Sequence, residues 1–72
     1  MQTPSFEEFL LSAQLDAQFS VAGVQAGAGC WKGEWLYALK RGDGPGTVHV
    51  MQDAASALRA VSKALAGTLE KI

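Results

Sequence analysis

Cys30 and His49 are the two side chains in this 72-residue chain best suited to covalent or acid–base chemistry, and each stands alone in the sequence. A cysteine becomes a nucleophile when its thiol loses a proton, which needs an electropositive, accessible setting. Lys32 lies two residues on, and His49 could act as a base if its strand neighboured the one carrying Cys30. One thiol and one imidazole cannot complete a four-ligand zinc shell. With a single cysteine there is no disulfide within the chain either. The residues therefore predict no catalytic set, no metal and no cofactor. Cys30 reads as a plain small side chain. His49, alternating with Val48 and Val50, reads as a surface or interface residue pointing away from the helices.

Gly27-Ala28-Gly29-Cys30-Trp31-Lys32-Gly33 has the glycine content of a phosphate loop. Its spacing fits neither known form. No G-K-[ST] follows, and Gly33 comes one residue too late for the dinucleotide fingerprint. The segment reads instead as a turn, centred on Gly27-Ala28-Gly29.

Trp31, Trp35 and Tyr37 fall on one face of a strand, with Trp31 at its edge beside Lys32. Aromatic side chains dominate core energetics, so these three are expected against Phe6, Phe9, Leu58 and Leu65. An exposed Trp31 would instead offer a stacking platform for bases or a partner peptide. Lys40 and Arg41 end the same strand, and Arg59 and Lys63 lie four apart further on. With Trp31, Lys32 and His49 they make up the candidate binding surface. A net charge of −1 opposes a dedicated nucleic-acid binder, which carries a basic footprint. The first helical region holds Glu7, Glu8 and Asp16 and no base.

The clearest period runs from Asp53 to Ile72. Leu58, Val61, Leu65, Thr68 and Ile72 recur at steps of three and four, which stripes one side of a helix. Asp53 is its N-cap candidate, and Gly67 is expected to thin or bend it. That stripe serves either the core or a helix–helix dimer seam. Met1 to Gln18 reads as a second helix, with Ser5 and Glu8 as a capping box and Thr3-Pro4 as a competing start. Phe6, Phe9, Leu10 and Ala13 form its apolar face, widened by Leu11 and Leu15. Between the helices, strands are expected at Phe19 to Ala26 with a bulge at Gly23, at Trp31 to Arg41, and at Thr47 to Met51. Gly42 to Gly46 is a turn.

The expected fold class is α+β: one domain over residues 1–72, in the order α-β-β-β-α. A three-stranded antiparallel meander carries both helices on one face, in a two-layer sandwich. That order resembles the double-stranded-RNA-binding domain in topology, across the whole chain. Members of that family start their second helix with lysines that straddle phosphates. The matching stretch here, Gln52 to Ala57, has one acid and no lysine, so the resemblance implies a fold and not that activity.

Hydrophobic residues make up 49% of the chain, a large share for so little interior, and point to an interface. The N-terminus lacks a secretory pattern, no run approaches a membrane span, and an unpaired cysteine suits a reducing compartment. The reading is a complete small cytoplasmic protein acting by protein–protein contact, as a homodimer or on a larger partner. It would serve as an accessory or regulatory subunit, not an enzyme. The alternative is a nucleic-acid-binding regulator using the basic and aromatic residues above.

Overall fold

The computed structural model describes residues 3–72. Its order is α1 (Phe6–Ser12), β1 (Gln14–Val21), β2 (Val24–Trp31), β3 (Glu34–Arg41), β4 (Thr47–Met51) and α2 (Ala54–Glu70). The strands form one antiparallel sheet in the order β1-β2-β3-β4, with both helices packed on it. The class is α+β, a meander between terminal helices. It has four strands where three were expected, which also removes the topological resemblance noted above.

The fourth strand comes from the supposed helix. Its first residues, Met1 and Gln2, lie outside the described part. Ser5 is the N-cap, its Oγ accepting from the Glu8 amide at 3.1 Å, so the helix starts there and not at Thr3-Pro4. It ends at Ser12. From Gln14 the sequence Gln-Leu-Asp-Ala-Gln-Phe-Ser-Val alternates polar and apolar, and exposed and half-buried positions alternate with it. Alternation is the period of a strand, and it prevails over the four-residue step from Leu11 to Leu15. Leu11, expected to widen the apolar face, is 88% exposed.

The turns shift accordingly. Ala22 and Gly23 both have positive φ (51° and 78°), as do Lys32 and Gly33 (49° and 81°). Two successive residues with positive φ mark the tight hairpin whose twist matches that of its strands. Gly23 therefore closes the β1–β2 hairpin and is not a bulge. Gly27-Ala28-Gly29, expected as a turn, is the buried middle of β2. Trp31 ends β2 and does not begin β3.

The helices lie on opposite faces of the sheet, not on one. Successive strand residues point to opposite sides. On one side Leu36 and Ala38 of β3 meet Phe6 and Phe9 of α1, joined by Leu10, Leu15, Trp31 and Val48. On the other side Ala28 of β2 meets Ala57 and Val61 of α2, with Phe19, Trp35, Tyr37, Met51 and Leu58 around them. The aromatic trio is thus divided: Trp31 belongs to the α1 side, Trp35 and Tyr37 to the α2 side. A register shift between Leu15 and Ala17 lets β1 serve both. Leu15 packs towards α1, whereas Ala17 and Phe19 pack towards α2.

Burying a strand under helices on both sides explains the Ala-Gly-Ala-Gly run of β2. Small residues let both layers come close. A Cβ on Gly27 would touch Leu10 of α1 at 3.6 Å; Gly29 is small for a reason within the sheet, since a Cβ there would land on the Gln14 carbonyl oxygen of β1 next to the register shift. α2 keeps its expected start: Asp53 accepts from the Ser56 amide at 2.8 Å. It then runs unbroken through Gly67 to Glu70. No described helix is long and apolar enough to cross a membrane.

Candidate functional site

Alternation along β3 and the direction of α2 decide which of the candidate side chains can act together. Trp31 and Lys32 sit at the β2–β3 turn. The Trp31 indole donates to Ser12 Oγ at 3.1 Å, which pins the end of α1, and the Lys32 ammonium lies 4.7 Å from its ring centroid. Trp31 is half-buried, so the ring is already engaged at its edge and by a cation. Arg41 stands at the far end of β3, which spans roughly 23 Å at about 3.3 Å per residue. Lys40, one residue earlier, points to the α1 side and pairs with Glu7 at 3.5 Å. Surface pairs of this kind contribute about 0–1 kcal/mol; this one ties α1 to β3. Arg59 is exposed on the first half of α2, near enough to Asp53 to favour its ionised form. The candidates therefore do not share one surface.

His49 faces the α2 side of the sheet, correcting the expectation that it points away from the helices. It stays exposed because β4 is the edge strand. Its ring stacks on Tyr37, its direct cross-strand partner, with centroids 6.1 Å apart and planes 20° from parallel. Burial raises the Tyr37 hydroxyl above its ordinary pKa, partly opposed by the Arg41 guanidinium. Cys30 is half-buried in β2, opposite Trp35. β3 lies between its strand and that of His49, a separation of roughly 10 Å at two strand spacings. The thiol and the imidazole are therefore not in contact. Among the described residues no cluster of three or more His, Cys, Asp or Glu side chains could hold a metal.

Two features remain with the means to bind something. The first is the open edge of β4. Its sequence Thr-Val-His-Val-Met carries no acidic or basic group beyond the single imidazole, and Val50 is 50% exposed. The opposite edge, β1, is interrupted at Asp16 by the register shift, and a bulge with a charge is how edge strands are blunted. β4 has neither protection.

The second is a cleft of about 280 Å³ at the end of the sheet where the β1–β2 turn, the end of β3 and the last half of α2 meet. It brings together two of the sequence candidates, Arg41 and Lys63, and adds Lys71, which the sequence reading left out. Lys63, Gly67 and Lys71 stand at steps of four, which places them along one stripe of a helix. That spacing was the available sign, hidden because Gly67 read as a weak point of the helix. A second, more open hollow between α1 and the β1–β2 hairpin is lined by Phe6, Leu10, Gln18, Ser20 and Gln25, with no charge in its wall. No protein-family model, curated protein or solved structure matches this chain.

Proposed function

We propose that this chain is a small non-enzymatic interaction module of the cytoplasm, and that it assembles as a homodimer through the exposed edge of β4. An edge strand presents a row of unpaired amides and carbonyls that another strand can satisfy. The observation that carries the reading is the contrast between the two edges: β1 is bulged and bears Asp16, while β4 is regular, uncharged apart from His49, and offers Val50 to solvent. A copy laid antiparallel about His49 sets Val48 and Val50 of the two chains against each other on the α1 side. The two sheets then become one of eight strands, four from each chain.

The pairing gives the apolar surplus of the sequence a destination. α2 lays the first half of its stripe on the sheet, with Val61 and Ala57 buried and Leu58 packed beside them, while Ile72 at the far end stays 75% exposed. Regulatory or accessory action on a larger protein would use the surfaces left open in such a dimer. The separation of Cys30 from His49 supports a role outside catalysis.

Light scattering over a concentration series tests this. The expected result is a concentration-dependent rise from 7.6 kDa to twice that mass, and its loss in Val50→Lys, which places a charge on the edge without entering the core. A 7.6 kDa species at every concentration up to about 0.5 mM, a weak-dimer range, would overturn the reading.

A further inference from the structure

We infer that the cleft between the end of β3 and the last half of α2 binds a small amphiphilic anion: a single carboxylate or phosphate group carried on a short apolar body. Its wall collects Arg41, Lys63 and Lys71, three of the six basic residues of a chain whose net charge is −1. Among the described residues the single ion pair joins Lys40 to Glu7, so these three cations have no carboxylate partner. No acidic side chain lines the cleft. All three side chains are exposed at the cleft, where they give its mouth a positive potential that favours an anion. Lys71 alone would be explained by the negative C-terminal end of α2, which favours a nearby cation. Arg41 is not explained that way, because it comes from β3 and reaches the cleft from the sheet. The planar guanidinium grips a carboxylate or phosphate with two parallel hydrogen bonds, while the ammonium groups add charge.

Apart from Thr68, whose hydroxyl is turned to the Ala64 carbonyl at 2.8 Å, the rest of the wall is apolar. Val24 lies opposite Arg41 on the sheet, and Ile72 closes the far side while remaining 75% exposed. Gly67 sits between the two lysines, and a Cβ built there meets nothing within 4 Å. The missing side chain leaves the cleft open. A volume of about 280 Å³ falls just below the usual range of ligand pockets, about 300 to 1,000 Å³. It suits a medium-chain acid or its phosphate counterpart, and is small for a dinucleotide. No residue of β4 lines the cleft, so the inference stands apart from the homodimer.

Four probes separate the parts of the claim: octanoate and octyl phosphate carry head and tail, octanol has the tail alone, and inorganic phosphate the head alone. Each is titrated into ¹⁵N-labelled full-length protein, below micelle-forming concentration, while amide shifts are followed. The expected result is saturable shifts for octanoate, octyl phosphate or both, at residues 22–24, 41 and 63–72. The single-feature probes should bind at least about tenfold more weakly, since charge-assisted contacts are strong ones. Whichever amphiphile binds more tightly identifies the head group. Arg41→Gln should weaken it by about tenfold. Gly67→Leu should abolish binding while keeping the fold, because the new side chain enters open space and leucine is a better helix former than glycine. Octanol binding as tightly as both anions, full affinity in Arg41→Gln or in a folded Gly67→Leu, or no saturable shift at millimolar concentration would each overturn the inference.

Discussion

Ala22 shows how single positions carry strain in this chain. It takes φ = 51° without being glycine, in a turn where two successive residues must be left-handed. A Cβ in that region costs roughly 1–2 kcal/mol, and asparagine bears it better than alanine. Ala22→Asn is therefore expected to stabilise the fold by about 0.5–1 kcal/mol. The check is urea unfolding, where the midpoint should rise with the slope unchanged. Asp53 carries a pH dependence. Hydrogen bonds from Ser56 hold its carboxyl below the usual range, with a smaller contribution from Arg59. A carboxylate whose folded pKa is depressed adds stability above its unfolded value and loses it as pH falls through the folded value. Acid should thus loosen the start of α2 first. Asp53→Asn keeps a capping oxygen but cannot titrate, so helical circular dichroism in the variant should vary less with pH below about 4.5 than in the wild type.

At the scale of elements, what the sequence made legible depended on how many layers each element touches. α2 touches one, so its apolar residues form a stripe, and its cap and start were readable; it passes Gly67 unbroken and ends at Glu70, so Ile72 falls beyond it. β4 lies at an edge and was read with its bounds intact. β2 is covered on both faces, and close layers demand small residues; Ala-Gly-Ala-Gly resembles a turn until both helices are in place. β1 was hidden differently. Leu11 and Leu15 continue a helical step across the true boundary at Ser12, and only the strict alternation from Gln14 argues against it. The shift at Asp16 then moves Leu15 to one face and Ala17 to the other, so no single face of β1 could be read through. β2's tightness gives a prediction. Gly29→Ala must push β1 aside, since the new methyl would meet the backbone of Gln14 and Leu15. Overpacking of this kind costs about 1–3 kcal/mol. Thermal unfolding should report a midpoint lower by at least about 4 °C, given about 4–8 °C per kcal/mol in domains this small. Amide exchange should accelerate along Gln14–Val21 before it does in β3.

The whole molecule spreads a limited interior over two faces of one sheet. Its buried apolar side chains are Phe6, Phe9 and Leu36 with Ala38 on one side, and Ala28, Ala57 and Val61 with Ala26 on the other. Neither group is large, and Trp35, Tyr37 and Phe19 are only half-buried. A domain this small gains from association, and the sequence pointed to that through its hydrophobic share. Where the association happens was not legible. It depends on which edge is left regular, and so on a bulge and a strand count that only the folded sheet reveals. The same holds for the cleft, whose cations come from two elements 22 positions apart in sequence, at Arg41 and Lys63. The most direct measurement of the central claim is an isotope-filtered NMR experiment on an equal mixture of labelled and unlabelled protein. It reads contacts between chains and no others. The account predicts such contacts among the backbone protons of Thr47–Met51, with Val48 of one chain near Val50 of the other. Contacts between chains confined to any other element, or none at millimolar concentration, would contradict it.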